Sequence, residues 1–535
     1  MDRRQAMKIL GFTGVGLANM GMMSSFVSAC GYRRVGSPMI QNDKYGVTIL
    51  VDGWRADLFQ DMLNKGQLPN IKKHLVDRGT LVDNCAGTFP STTGSAHLPF
   101  ITGMMPGHNN CPGLRWIDRK NREARDYVQM ENVLFDRDFP RSNYTLYEML
   151  SGEYTLCIYD FASRGATKKH RPEISTLWFM VQDILPAWVQ ADEEAVAIFK
   201  DAYLGGGTIP RYSFVWLPSL DHLAHFLRPM SDDIYERARG VDLLVGQIME
   251  TLHKAQLYDK TIVSLVSDHG LTDTENTHDI RATLMGYGLN VMDNLSNNDG
   301  FNSLRQHNAA RGLSGNGFGL LYFAETETGR AGTQSYSWDR PIEYDELRSF
   351  LVPGEGRLDL IELLRNEDAI GLLMVRERPD LYHIFSKSGE GIIEREYSRF
   401  RYSVIGTDPL GYKSLPSSAN LIDGNFHDKD TWFSATTSSS YPDAPFQITQ
   451  LFDSPRCGDM VISSKPGWDF LSPGTHHKAS HGSLEKAEVM VPCVLAGPGI
   501  KQGNIEIARS IDLYPTYLKY LGIPNYDGEV LNVFG

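Results

Sequence analysis

An α/β three-layer sandwich with a mainly parallel central sheet, plus an inserted α+β cap region, is the fold class this sequence predicts. Strands and helices alternate over residues 46–290, and three short apolar runs each end at or shortly before an aspartate. From about Val291 to Asp469 the texture changes: Gly, Asn and Ser become frequent, aromatics scatter and strands look short. At 535 residues the chain is too long for one simple core, which favours one large domain with a second inserted into it. The predicted layout is a leader over 1–29, a linker over 30–45, the core over 46–290 and 471–535, and the cap over 291–470.

The N-terminus reads as an export signal. Arg3, Arg4 and Lys8 flank or precede a mostly apolar run from Ile9 to Ala29, and the arginine pair resembles the twin-arginine type. Val27-Ser28-Ala29-Cys30 resembles a bacterial lipobox, so Cys30 is the expected lipidation site. The protein would then be tethered to the membrane in the cell envelope or periplasm. A plain transmembrane anchor is the competing reading, disfavoured by the glycines and polar residues in the run.

The first strand is Gly46 to Val51, apolar enough to be buried on both faces, and it delivers Asp52-Gly53 to its C-terminal edge. Open α/β sheets bind ligands at that edge. Phe89-Pro90-Ser91-Thr92-Thr93-Gly94-Ser95-Ala96-His97 follows, a hydroxyl-rich turn predicted to open a short helix. A second strand, Tyr212 to Leu217, leads into Asp221-His222-Leu223-Ala224-His225. Residues 221 and 225 share one side of a helical turn. A long amphipathic helix is predicted from about Ile234 to Leu252. The third strand, Thr261 to Val266, ends in Ser267-Asp268-His269-Gly270. After the cap region come His476, His477 and His481-Gly482, the strand Val489 to Ala496, and a closing helix around Leu513 to Leu521.

A net charge of −13 argues against a nucleic-acid-binding surface. It also means that an anionic substrate needs local positive charge, which metal ions can supply. Of six cysteines, removing Cys30 leaves an odd number with no Cys-x-x-Cys spacing, so no thiolate metal site is expected and disulfide pairing is unspecified.

Asp52, Thr93, Asp221, His225, Asp268, His269 and His481 together offer seven oxygen and nitrogen donors without sulfur. Such a set suits two zinc-like ions, other divalent ions remaining open. Two ions can hold the attacking and leaving oxygens of an in-line phosphoryl displacement. A threonine hydroxyl beside such an ion ionises more readily and becomes a nucleophile. Taken singly, each residue has an ordinary explanation as a helix cap, a turn former or a surface hydrogen-bonding group.

In this order the motifs resemble the type I phosphodiesterase/nucleotide pyrophosphatase family of the alkaline phosphatase superfamily. The matching pieces are Leu50-Val51-Asp52-Gly53, Phe89 to Thr93 with Thr102-Gly103, Asp221 to His225, Ser267 to Gly270, His481-Gly482 and Ile511 to Thr516. The resemblance implies a phosphate-ester hydrolase with an alkaline phosphatase-like fold and Thr93 as nucleophile. It implies one zinc on Asp52, Thr93, Asp268 and His269, and another on Asp221, His225 and His481. His97 falls on the family's histidine in the same segment and is expected to contact substrate. Thr88 resembles a Thr-Phe-Pro element and ranks second as nucleophile. The family's asparagine before that histidine, a phosphate contact, is Ala96 here. Arg115 and Trp116 are further candidates for substrate binding.

The alternatives are a phosphomonoesterase, with Arg164, Lys168, Lys169 and Arg171 as a cationic clamp, and a non-enzymatic, lipid-anchored envelope binding protein.

Overall fold

Neighbouring apolar runs decide the centre of the fold. In the computed structural model, which describes residues 42–128, 130–171, 185–292, 295, 300–328, 334–470, 477–524 and 528–535, Tyr45–Val51 lies between Tyr212–Leu217 and Thr261–Val266. Both pairings are parallel and in register, with Ile49 opposite Val215 on one side and Leu265 on the other. Val47, Ile49, Leu50 and Val51 are buried on both faces, as a strand covered by helices on each side requires. The export signal, the lipobox at Cys30 and His476 lie outside the described residues.

Among the described residues the sheet has nine strands. Its order runs Met490–Val491, Gly79–Ala86, Cys493–Ala496, Thr261–Val266, Tyr45–Val51, Tyr212–Leu217, Thr155–Ile158 and Lys168–His170, and Gly503–Arg509 also pairs with Gly79–Ala86. The sheet is mixed. Cys493–Ala496 runs antiparallel to both of its neighbours, and Met490–Val491 runs antiparallel to Gly79–Ala86. The return from Cys493–Ala496 to Gly503–Arg509 is too brief for a parallel crossover, so these two run in opposite senses against Gly79–Ala86. The predicted long helix is Asp232–Lys254, two residues longer at each end than its apolar periodicity indicates.

The middle of the chain departs most from expectation. Its strands are not all short: Ile370–Arg378 has nine residues, and it belongs to an eight-stranded antiparallel sheet that starts at Ala309–Ser314 and ends at His427–Asp428. Other strands of this sheet, such as Gly389–Glu396, alternate buried with half-buried residues and escape a search for continuous apolar runs. Helix Ala444–Leu451, from the same stretch, is almost wholly buried. It is anchored by Arg509, whose guanidinium donates to both carboxylate oxygens of Asp443 at 2.8 Å.

Cys85, Cys111, Cys157, Cys457 and Cys493 are buried free thiols. Among the described residues no helix is long and apolar enough to cross a membrane.

Candidate metal centre and nucleophile

The three central strands carry the acidic residues to one sheet edge, and a glycine lets them meet. Asp52 ends its strand and Gly53 turns the chain with φ +70°. A Cβ at Gly53 would stand 2.6 Å from Cβ of Asp221 and 2.7 Å from its Cα, closer than real atoms approach. The Gly53 amide donates to Asp268 Oδ1 at 3.3 Å, and the Trp54 amide to Ser267 Oγ at 2.9 Å. Two strand ends are thereby stitched together while helix Ser219–Leu227 presses its Asp221 against the turn.

Two ligand triads result. In one, donor atoms of Asp52, Asp268 and His269 lie within 4.8 Å of one another; in the other, those of Asp221, His225 and His481 do. The histidines are held by their other nitrogens. Nδ1 of His269 meets the Gly270 carbonyl at 3.1 Å, Nδ1 of His225 the Ala479 carbonyl at 2.9 Å, and Nδ1 of His481 the Ser91 carbonyl at 2.8 Å. A carbonyl can only accept, so each Nδ1 carries a proton and each Nε2 is the atom left to face an ion, the orientation a metal ligand needs. The rings of His269 and His481 stack at 3.8 Å, which brings the triads side by side. Thr93 Oγ1 lies 3.1 Å from Nε2 of His269.

These residues fit divalent cations. Asp52 Oδ1 and Asp221 Oδ1, one in each triad, are buried without a hydrogen-bond partner. Bare buried carboxylate oxygens are costly unless a cation meets them. Burial, aided by the Asp268 and Asp221 carboxylates, holds the Asp52 carboxyl well above the usual range. Burial and the neighbouring His269 push His481 down to about 3, so its ring is neutral and free to ligate. For Asp221, burial acts upward but the attraction of His225 and His481 prevails and lowers it.

The segment bearing Thr93 is clamped from three directions. Gln447 accepts from the Phe89 amide at 2.8 Å and donates to the Gly87 carbonyl; Gln450 donates to the Phe89 carbonyl and accepts from the Gly107 amide, both at 2.8 Å. Ser91 Oγ donates to the Ser483 carbonyl at 2.8 Å and accepts from the Gly482 amide at 2.9 Å. The buried Glu488 carboxylate accepts from the Ser483 amide at 2.6 Å and from Thr272 Oγ1 at 2.5 Å. Thr93 itself sits in a turn. The helix starts only at Leu98, after His97, because Gly94 adopts φ +84° and Pro99 favours the first turn. Thr88 is fully buried and donates to the Pro90 carbonyl at 3.0 Å, which uses its hydroxyl inside the turn.

Some expected substrate contacts are located elsewhere. His97 is completely buried, with Nδ1 2.8 Å from Asp160 and Nε2 3.2 Å from Asp268. Burial opposes its charge, but the Asp160 and Asp268 carboxylates outweigh this and raise it to about 10. It therefore orients Asp268 from beneath and cannot reach a substrate. Trp116 is fully buried under the Arg456 guanidinium, 3.9 Å from its ring, and so offers no stacking face. Arg115 is spent on Asp126, at 3.0 Å, and on the Leu313 carbonyl.

Sequence reasoning missed Asp160, which fixes His97, and Trp216, whose indole N–H donates to Asp52 Oδ2 at 2.7 Å. Trp216 had a readable signal, an aromatic with a polar handle in the strand beside Asp52. Trp216→Phe removes that donor, and affinity for a divalent ion at the Asp52 triad is expected to fall about 10–100-fold, as for other lost partners of metal ligands. Competition with a chromogenic chelator measures it.

Residues 47–294 match the family model for type I phosphodiesterase/nucleotide pyrophosphatase. Ectonucleotide pyrophosphatase/phosphodiesterase family member 1 of Mus musculus is 25% identical over 226 residues, 41% of this chain and 23% of that protein. The chain thus aligns with less than a quarter of the length of that curated relative. Among solved structures, murine ectonucleotide pyrophosphatase/phosphodiesterase 5 superposes with a TM-score of 0.56 at 13% identity, over 91% of this chain and 97% of that one. An inactive threonine-to-alanine form of the murine protein in complex with AMP gives 0.55 at 12%, with the same coverage. These likenesses show a shared alkaline phosphatase-like fold. The family model spans the strands and turns that carry Asp52, Thr93, Asp221 and Asp268, so just under half of the chain, with the site in it, is similar to the type I phosphodiesterase/nucleotide pyrophosphatase family.

Proposed function

We propose that this protein is a metal-dependent phosphodiesterase that uses Thr93 as nucleophile and binds two zinc ions. The observation that carries this reading is the pair of triads beside Thr93, one buried and one half-buried, each with one buried carboxylate oxygen that lacks a hydrogen-bond partner. Asp52, Asp268, His269 and Thr93 would hold one ion, and Asp221, His225 and His481 the other. Nitrogen and oxygen donors without thiolate suit zinc. Bound there, the ions would supply charge neutralisation for the transferring phosphoryl group and ease ionisation of the threonine hydroxyl.

The rest falls to the chain itself. The clamped turn presents the Thr93 hydroxyl in one orientation, so its oxygen attacks phosphorus with little ordering left to do. A bond forms from Thr93 Oγ1 to phosphorus while the bond to the leaving alcohol breaks. Water then hydrolyses the phosphothreonine and restores the hydroxyl. The murine relative made inactive by a threonine-to-alanine change, and holding AMP, supports a threonine nucleophile and a nucleotide-type product.

Diester preference over monoester is supported by the basic cluster. Arg164 is buried against Glu148 at 3.0 Å and stacked on Phe139, and Lys169 pairs with Asp136 at 3.1 Å. Arg171 donates to the Asp160 carbonyl at 3.1 Å. Three of the four cations are therefore already engaged in fixing loops, and a doubly charged monoester would find little to clamp it.

We further read residues 1–29 as an export signal and Cys30 as a lipid tether that places the enzyme in the bacterial cell envelope. Residues 46–290 and 471–535 form the catalytic core, and 291–470 the cap. The test is paired initial rates on nitrophenyl phosphate diester and monoester. Wild type is expected to favour the diester, to lose activity after exhaustive chelation and to regain it with zinc. Full activity of the chelated protein sinks the metal reading, and monoester preference moves the protein to the phosphatase branch.

A further inference from the structure

The proposed function takes His481 from the histidine-rich stretch that begins near 476, and leaves His477 without a task. His477 is half-buried at the edge of the Asp221/His225/His481 triad, its ring centroid 4.8 Å from that of His225. Phe226 packs edge-on against it at 5.9 Å. Asn316 Nδ2 lies 3.2 Å from its Nδ1. An amide nitrogen only donates, so Nδ1 of His477 accepts, and the ring is neutral with its proton on Nε2.

Asn316 is itself firmly placed. It lies in a Gly-Asn-Gly turn with φ +66°, bridged to the backbone of His481. The amides on either side of that bridge close it, Gly317 donating to the His481 carbonyl at 2.8 Å and His481 to the Gly315 carbonyl at 3.1 Å. The turn belongs to the antiparallel sheet of the cap region, so a cap residue chooses the tautomer of a histidine at the metal centre.

We propose that His477 is a leaving-group contact: its Nε2–H, set by Asn316, donates a hydrogen bond to the alcohol oxygen that departs from phosphorus. This rests on the phosphodiesterase reading. Thr93 lies at the Asp52/Asp268/His269 triad, and in-line displacement expels the leaving oxygen away from the attacking one. The leaving side is then that of the other triad, where His477 stands. A donor there stabilises charge that grows on the oxygen as the bond breaks, and it matters most for poor leaving groups.

The experiment uses the zinc-loaded protein and a series of methyl aryl phosphate diesters whose phenols rise in pKa. In His477→Ala the rate on the poorest leaving group is expected to fall about 10²-fold, the effect of losing one such donor. On the nitrophenyl diester the rate should change little, so the dependence on leaving-group pKa steepens. His477→Gln, which keeps an N–H, should recover part of the loss. Asn316→Asp can only accept, which moves the proton to Nδ1, so it should steepen the dependence as His477→Ala does. Zinc content should stay at the wild-type value throughout. Nitrogen-15 spectra of histidine-labelled protein should show a protonated Nε2 on His477 in wild type and a protonated Nδ1 in Asn316→Asp. An unchanged leaving-group dependence in His477→Ala, or a protonated Nδ1 in wild type, overturns this assignment alone. A wild-type protein that cleaves no diester overturns it together with the function on which it rests.

Discussion

Thr93→Ala is expected to abolish turnover while leaving bound zinc in place. Among the described residues, the Thr93 hydroxyl lies at the triads, 3.1 Å from His269, and its rival Thr88 is sealed in the Pro90 turn. The other six donor residues are unchanged, and the histidines among them are held through Nδ1 by backbone carbonyls. With Thr93 as the proposed nucleophile, its removal leaves only binding and charge stabilisation, so the rate constant should drop by about 10³-fold or more. Initial diester rates together with metal analysis decide it. Activity near the wild-type level with zinc retained would refute the nucleophile assignment. Loss of both activity and zinc would instead make Thr93 a ligand of larger weight than assigned. Thr93→Ser, which keeps a hydroxyl, should preserve measurable turnover.

Gly53→Ala should be the most damaging of the small substitutions. The added methyl would lie 2.6 Å from Cβ of Asp221 and 2.8 Å from Leu271 Cδ1, in a backbone conformation at φ +70° that alanine rarely adopts. Positive φ and overpacking together suggest a loss of about 2–5 kcal/mol in stability. The methyl also separates Asp52 from Asp221, so both triads open at once. Denaturant unfolding of the metal-free protein and zinc titration should each register the change. Wild-type stability combined with wild-type zinc affinity would show that Asp221 has freedom to retreat, and that the contact does not set the site.

The acidic residues of the two triads were legible because each sits where an apolar run stops or shortly after it. Asp52, Asp221 and Asp268 follow three strands that turn out to be immediate neighbours, and spacing of four brought Asp221 and His225 to one helical face. What supports them was not legible. Asp160 and Trp216 act through pairings between segments far apart in sequence, and nothing in their local pattern marks the partner. His97 illustrates the same limit from the other side. Its place in the motif suggested contact with substrate, yet its role is decided by two carboxylates that reach it from strand ends 63 and 171 residues away. The antiparallel edge of the main sheet and the eight-stranded sheet of the middle region were missed for a related reason. Strand direction depends on connections, and amphipathic strands with polar outer faces give no continuous apolar run.

Gln447 and Gln450 carry an implication for how such a chain can be re-engineered. They come from the middle region, yet they hold both sides of the peptide at Phe89, four residues before the nucleophile. Asp443, which opens their helix, is gripped by Arg509 from the far end of the chain. The middle region thus also supplies part of the scaffold beneath the Thr93 hydroxyl. Exchanging it wholesale for the corresponding stretch of another protein would bring new specificity and a displaced Thr93 together. A chimaera that keeps residues 443–451 with the recipient, and swaps only the strands before them, separates recognition from reactivity.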